Sequence, residues 1–395
     1  MNINDLSEFN VVDREKRKLI DEVLFPHEKM QAFKSLKKMH VEDVVLSDKN
    51  YDVVEDYCLE EASLEIDLPK YCPVCGRKYS KSENVCMDCL VHLKDISDKI
   101  DVRDIEFSPE FDFKGKNDFT GFEDLLSEEN IAKINEFNFS SNHYSRILFN
   151  IKSQAFRNFD KAVKDNEIVF DDLDILDKVI IIVKSFVDVD FKSYGGQLGY
   201  FEDNVIYVDD RQTDALQITT LIHELSHFMI KEILTQIICK ILNAKRNPFI
   251  EILSTYILSY SAFTNLIDEY SAHTVEGRFT IFGYQDYSSF KQIEQTLKDE
   301  MPQEEIEITK SIGNTFAIGI KNILESFLDR ELREDIKHQF KLDILDKPNY
   351  KELAMENCQK LTDEGFMKAI WLILSEGFEV ASHDIEQLNK LKTND

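Results

Sequence analysis

Residues 223–227 read H-E-L-S-H, two histidines four apart with a glutamate directly after the first. On an α-helix, residues four apart stand one above the other on the same face. His223 and His227 can then offer two neutral imidazole nitrogens to one ion, a donor pair that suits zinc at about 2.0–2.1 Å. Glu224 falls beside the ion rather than on it, where a carboxylate can take a proton from a metal-bound water. A second constellation lies upstream, where Cys72, Cys75, Cys86 and Cys89 are spaced C-x2-C-x10-C-x2-C. Each C-x-x-C turn points two thiolates to one side, and two such turns close a four-thiolate tetrahedral site with Zn–S near about 2.3 Å. With all four positions filled by protein, that site holds structure and leaves no place for a reactant. The two patterns together predict two Zn²⁺ ions, one catalytic and one structural.

The elements around the first pattern must bring its side chains together. Ile218, Ile222, Leu225 and Met229 repeat at helical spacing, with Thr213 and Asp214 as caps for the helix start. The same apolar helix is expected to continue from Met229 to Lys245 and to break at Asn247-Pro248. A second helix is expected from Phe249 to about Gly277. Ahead of the histidines, Lys178–Val187 has the β-branched content of a buried strand. Gly199–Asp209 reads as a hairpin turning at Glu202-Asp203-Asn204, with Val205–Val208 as its second strand. Gly195, Gly196 and Gly199 fit either a flexible rim on a cleft or an ordinary turn.

HELSH taken with NLIDEYSAHTVEGRF, Asn265 to Phe279, resembles the zincin metallopeptidases, and in particular their gluzincin branch. That resemblance implies a second helix supplying a glutamate as third zinc ligand, a part that Glu269 fits. Many such enzymes carry an aspartate four residues after that glutamate. This chain has His273 there, which makes His273 a rival third ligand. The resemblance further implies hydrolysis of peptide bonds: His223, His227 and Glu269 hold Zn²⁺, and water takes the fourth position. Glu224 draws off the water proton and hands it to the leaving amine. Tyr200, Tyr207, Tyr270 and His273 are all candidates to assist the oxyanion. It also implies an edge strand that pairs with a peptide or protein substrate through main-chain hydrogen bonds. A histidine pair on an amphipathic helix can instead be a buried structural pair. The alternative is therefore a catalytically inactive zinc-binding interaction or regulatory protein.

The cysteine segment, Tyr71 to Leu90, resembles a zinc ribbon, which implies two short hairpins stapled by the metal. Gly76 follows the first knuckle, where a left-handed turn is usual. So small a unit draws much of its folding energy from the ion. Arg77, Lys78 and Lys81 are a thin basis for binding nucleic acid within so acidic a chain, so the ribbon is read as structural or as a docking module for a protein partner ahead of a nucleic-acid module.

The whole chain has 395 residues, 43% hydrophobic and 31% charged, which is a globular composition. Its net charge of -28 and pI near 4.7 repel nucleic acid and anionic membrane. The N-terminus lacks an apolar signal region. The longest apolar run, Phe249–Ile267, carries Glu251 with several Ser and Thr, and reads as a buried helix with no membrane span. The 7 Cys, four of them in one metal pattern, suit a reducing, cytoplasmic setting.

The expected fold is α+β and mostly helical. It comprises a helical segment (1–70), the ribbon (71–92), a linker (93–122), a zincin-like domain with a small sheet and the HExxH helix (123–290), and a helical C-terminal region (291–395). Helical patterns run from Glu123 to Asp165 and then over Ile312–Leu328, Asp343–Leu361 and Phe366–Glu379, with Trp371 read as core.

Overall fold

The computed structural model describes residues 70–74, 77–95, 101–107, 109–192, 198–280, 289–298, 302–344 and 360–392. Outside them lie the helical segment expected before residue 70, Cys75 with Gly76, and Gly195 with Gly196. The described chain is mostly helical with small sheets, as expected for the class.

Five two-residue strands come first: β1 (Lys70–Tyr71), β2 (Lys78–Tyr79), β3 (Val85–Cys86), β4 (Val91–His92) and β5 (Lys94–Asp95). β1 pairs antiparallel with β2 and with β5, and β3 pairs antiparallel with β4. Leu90 turns the chain between β3 and β4 with φ 57°, a left-handed conformation that costs a side-chain-bearing residue some strain. Residues 101–121 have no long element, yet they lie against the helices. Lys184 Nζ donates to the carbonyls of Val102, Arg103 and Ile105 at 3.1, 2.7 and 2.8 Å, and the Phe111 ring packs on Phe228.

Three helices follow within the span expected to be helical: α1 (Phe122–Leu125), α2 (Glu128–Glu136) and α3 (Ser141–Asp165). The strand expected at Lys178–Val187 is not one. Ile175–Lys184 is a helix, α4, with Asp174 accepting from Asp177 N–H at 2.8 Å as its N-cap. All but one of its residues are buried. A helix enclosed on every side carries the same Val/Ile run as a buried strand. The expected hairpin is present as β7 (Gly199–Glu202) and β8 (Val205–Val208), with Asp203 and Asn204 both at positive φ in the turn. β6 (Asp188–Phe191) joins β8 in parallel, giving the order β6-β8-β7. The strand that leads into the histidine helix is therefore the central one, and β6 and β7 are the edges.

That helix, α5 (Asp214–Leu242), runs 29 residues and is buried almost throughout. Thr213 caps its start by accepting from Leu216 N–H. Its end comes earlier than Lys245, at Asn243, whose left-handed backbone (φ 48°) closes the last turn. Asn247-Pro248 begins the next helix rather than breaking the last: Asn247 accepts from Ile250 N–H and Pro248 occupies the first turn. The single helix expected over 249–277 is two, α6 (Pro248–Ser259) and α7 (Ala262–Phe279). Ser261 caps the second by accepting from Thr264 N–H at 3.2 Å.

Four more helices complete the described chain: α8 (Ser289–Leu297), α9 (Gln303–Leu324), α10 (Arg330–Ile344) and α11 (Asp363–Lys392). α11 covers the helical span expected at 366–379, and α9 covers the one expected at 312–328 only as far as Leu324, where turns take over. The helix expected over Asp343–Leu361 lies almost wholly outside the described residues. Trp371 is half-buried, not core, and its indole donates to the Asn135 carbonyl at 3.1 Å. One hydrophobic core runs from Leu125 through α5 to Phe378, so α9, α10 and α11 pack onto the same interior as the histidine helix, while α8 joins Leu266 and Tyr270 in a second cluster. Among the described residues no helix is long and apolar enough to cross a membrane.

Candidate metal centre

α5 carries His223, Glu224 and His227 through the middle of the core, and α7 crosses it carrying Glu269. Both imidazoles turn Nε2 to the same point: the two Nε2 atoms are 3.2 Å apart. Glu269 Oε2 stands 3.7 Å from His223 Nε2 and 3.8 Å from His227 Nε2. The circle through these three donor atoms has a radius of about 2.1 Å, the length of a Zn–N or Zn–O bond. The donor set thus fits a zinc ion without rearrangement. Glu269 joins both histidines in this group, whereas His273 falls into a neighbouring group with His223 and Glu276.

The outward sides of the two rings meet carboxylates. His223 Nδ1 is hydrogen-bonded to Glu276 Oε2 at 3.0 Å. His227 Nδ1 lies 2.9 Å from Asp268 Oδ1, close but off the line of a hydrogen bond. Such partners fix which nitrogen of a ring is left for the ion. Neither Asp268 nor Glu276 was singled out in the sequence. Asp268 directly precedes Glu269, and Glu276 follows it by two helical turns, so proximity on one helical stretch was the available signal.

Four carboxylates, Glu224, Asp268, Glu269 and Glu276, are each no more than 5% exposed. Buried charge needs a compensating partner, and Asp268, Glu269 and Glu276 are each paired to a histidine. Burial works against charge on His223. Glu269, Glu276 and Glu224 around it outweigh that and hold its imidazole well above the ordinary histidine range. Burial likewise favours a neutral Glu276, but His223 and His273 hold its carboxyl below the ordinary range. The field of the site is that of a cation receptor. Glu224 Oε2 is buried with no hydrogen-bond partner among the described residues, a carboxylate oxygen left for something outside the chain.

The candidates for an oxyanion partner separate. Tyr270 is buried against Phe290 with ring centroids 5.1 Å apart. Tyr200 and Tyr207 are cross-strand neighbours whose rings stack at 4.6 Å. His273 touches the centre: its ring packs on that of His223 at 4.6 Å, and its Nδ1 is 3.1 Å from Glu276 Oε2.

The second pattern also gathers. The sulfurs of Cys72, Cys86 and Cys89 lie within 4.8 Å of one another. Cys72 follows β1 and Cys86 ends β3, so the two hairpins present them to one point. Val74 N–H donates to Cys72 Sγ at 3.4 Å and the Tyr79 hydroxyl to Cys86 Sγ at 2.9 Å. Cys75 lies outside the described residues. Compared with known proteins, the chain matches no protein-family model, no curated protein and no solved structure at a significant level.

Proposed function

We propose that the chain is a zinc-dependent metallopeptidase that hydrolyses peptide bonds, with His223, His227 and Glu269 as the zinc ligands and Glu224 as general base. One observation carries this reading: two histidine Nε2 atoms and a glutamate oxygen converge at ligand spacing, with the unpartnered carboxylate oxygen of Glu224 on the same helix. Zinc held there supplies a Lewis acid for the scissile carbonyl and brings the pKa of a water toward neutrality. Glu224 takes the proton of the attacking water and returns it to the leaving nitrogen. Glu276 holds the Nδ1 side of His223 by a hydrogen bond and Asp268 stands beside that of His227, and the Nε2 sides of both rings face inward. The gathered cysteines are proposed as a zinc ribbon holding a structural ion. A second reading is a zinc-binding interaction or regulatory protein without turnover. It is favoured by depth, since the His227 side chain is 2% exposed and that of Glu269 4%. Glu224→Gln separates the two. The variant should keep its metal and lose peptidase activity by at least about 10²-fold, in the range expected of general acid–base catalysis. Activity equal to wild type would remove the base from Glu224.

A further inference from the structure

His223 uses only one edge of its ring in the site described above. Its other nitrogen belongs to a second set of donors. His223, His273 and Glu276 each place one ligating atom within 4.8 Å of the others. Glu276 Oε2 is the meeting point, 3.0 Å from His223 Nδ1 and 3.1 Å from His273 Nδ1. Two imidazole nitrogens converging on one carboxylate oxygen repeat the pattern of the first group, where donors likewise crowd at ligand-to-ligand distance.

We infer that His223, His273 and Glu276 form a second divalent-metal site beside the first, with the His223 ring bridging the two ions through Nε2 and Nδ1. This rests on the proposed zinc site at His223, His227 and Glu269, because the bridge needs an ion on Nε2. The donor chemistry, two imidazoles and one carboxylate, selects a borderline divalent ion such as Zn²⁺ or Co²⁺ over Ca²⁺ or Mg²⁺. On binding, the ring of His223 gives its remaining proton to solvent, and both nitrogens become ligands.

Charge supports the pairing. Four buried carboxylates surround three imidazoles in this region. One divalent ion offsets two of those charges and a second offsets the other two, leaving only the charge of the bridging imidazolate. Uncompensated charge in a buried place is strongly unfavourable. Access supports it as well: the side chains of His223 and His273 are 16% and 14% exposed, against 2% for His227, so the second position lies on the more open side of the first.

The test is a metal count on the full chain after saturation with zinc and removal of free ion. The thiolate-held ion is released by an organomercurial and counted separately from the ions that remain. The expected result is two remaining ions per chain, falling to one in His273→Gln with unchanged far-ultraviolet circular dichroism. One remaining ion in the saturated wild type overturns the second site and leaves the proposed peptidase centre standing. None remaining overturns both. Two that persist in His273→Gln overturn the placement. Cobalt loading gives a reading free of substitutions: two Co²⁺ ions sharing one imidazole ring should show magnetic coupling by electron paramagnetic resonance. Uncoupled signals at two ions per chain also overturn the bridge.

Discussion

Gly313→Ala should loosen the metal centre from a helix that contributes no ligand to it. α9 crosses α7 at Gly313, where an added Cβ would stand 2.8 Å from the Ile267 carbonyl oxygen and 3.4 Å from both Ser271 N and Tyr270 Cβ. Non-bonded carbon prefers separations of about 3.5–4.0 Å, so the two helices must part by roughly 0.5 Å or more. The nearest obstacle is backbone, which cannot swing aside as a side chain can. Overpacking of this kind costs about 1–3 kcal/mol. Alanine returns about 1 kcal/mol of that through its better helix propensity. The net change in stability is therefore small, a fall in Tm of a few degrees. The effect on metal is larger. Glu269 lies between Ile267 and Ser271, and metal–ligand distances tolerate only about 0.2 Å. Disturbing the support of a ligand typically costs about 10–100-fold in affinity. Zinc affinity at the histidine site, read by competition with a chromophoric chelator, should fall by that factor. Gly377→Ala is the control. Its Cβ would meet side-chain atoms of Ile257 at 2.6 Å, away from the centre, so it should perturb melting without touching zinc affinity. Wild-type affinity in Gly313→Ala, or an equal loss in Gly377→Ala, would refute the claim that this close crossing positions Glu269.

Other perturbations have equally specific outcomes. Asp268→Asn should weaken zinc at the histidine site by about 10-fold or more, because the ring of His227 loses the carboxylate beside its Nδ1; unchanged chelator competition would remove Asp268 from that role. Cys86→Ser should lose one zinc per chain and expose the segment from β1 to β5 to limited proteolysis, while the histidine site keeps its metal. Retention of full zinc content would argue against a thiolate site. Glu251 gives a pH dependence. Burial raises its carboxyl pKa, but Arg246 at 2.5 Å and Asn204 at 2.8 Å outweigh that and hold it below the ordinary glutamate value. A depressed carboxylate pKa stabilises the fold above the unfolded value and loses that contribution as pH falls through the folded one. Glu251→Gln should thus cost about 1–2 kcal/mol at neutral pH, with the gap from wild type closing in acid. A gap that stays constant on acidification, measured by urea unfolding, contradicts the assignment.

The parts of the fold legible in the sequence are those written in local signals. Thr213 caps α5 because a hydroxyl there can reach Leu216 N–H, and the β7–β8 turn falls at Asp203-Asn204 because Asp and Asn tolerate positive φ. α4 was not legible. Its unbroken run of β-branched residues, Val179 to Val183, marks burial, and burial on all sides erases the periodicity that would distinguish helix from strand. The break between α6 and α7 was hidden in the same way, since an apolar stretch on both sides of Ser261 masks a cap that is only one residue long. Trp371 stood in an apolar run yet ends half-buried, because its indole N–H is drawn to the Asn135 carbonyl at the surface of α2.

The candidate metal centre divides along a similar line. His223, Glu224 and His227 are set by spacing within one helix, so sequence alone places them on one face. Which carboxylate meets which imidazole depends on how α5 and α7 cross, and no local pattern encodes that crossing. The resemblance to gluzincins pointed to the fourth residue after Glu269 for an acidic partner, and His273 stands there. The partner that His223 has is Glu276, seven residues on. Seven residues are just under two helical turns, and the drift is only about 20° from the starting stripe. Glu276 therefore returns to the face of Glu269, one turn beyond His273, and its longer reach along that stripe lets it meet His223 Nδ1. The requirement at this position is physical: an oxygen acceptor that fixes the ring with Nε2 inward. Any carboxylate on the stripe can meet it, at four residues or at seven. Moving it to seven frees the fourth position for a third imidazole, and that imidazole packs directly on His223.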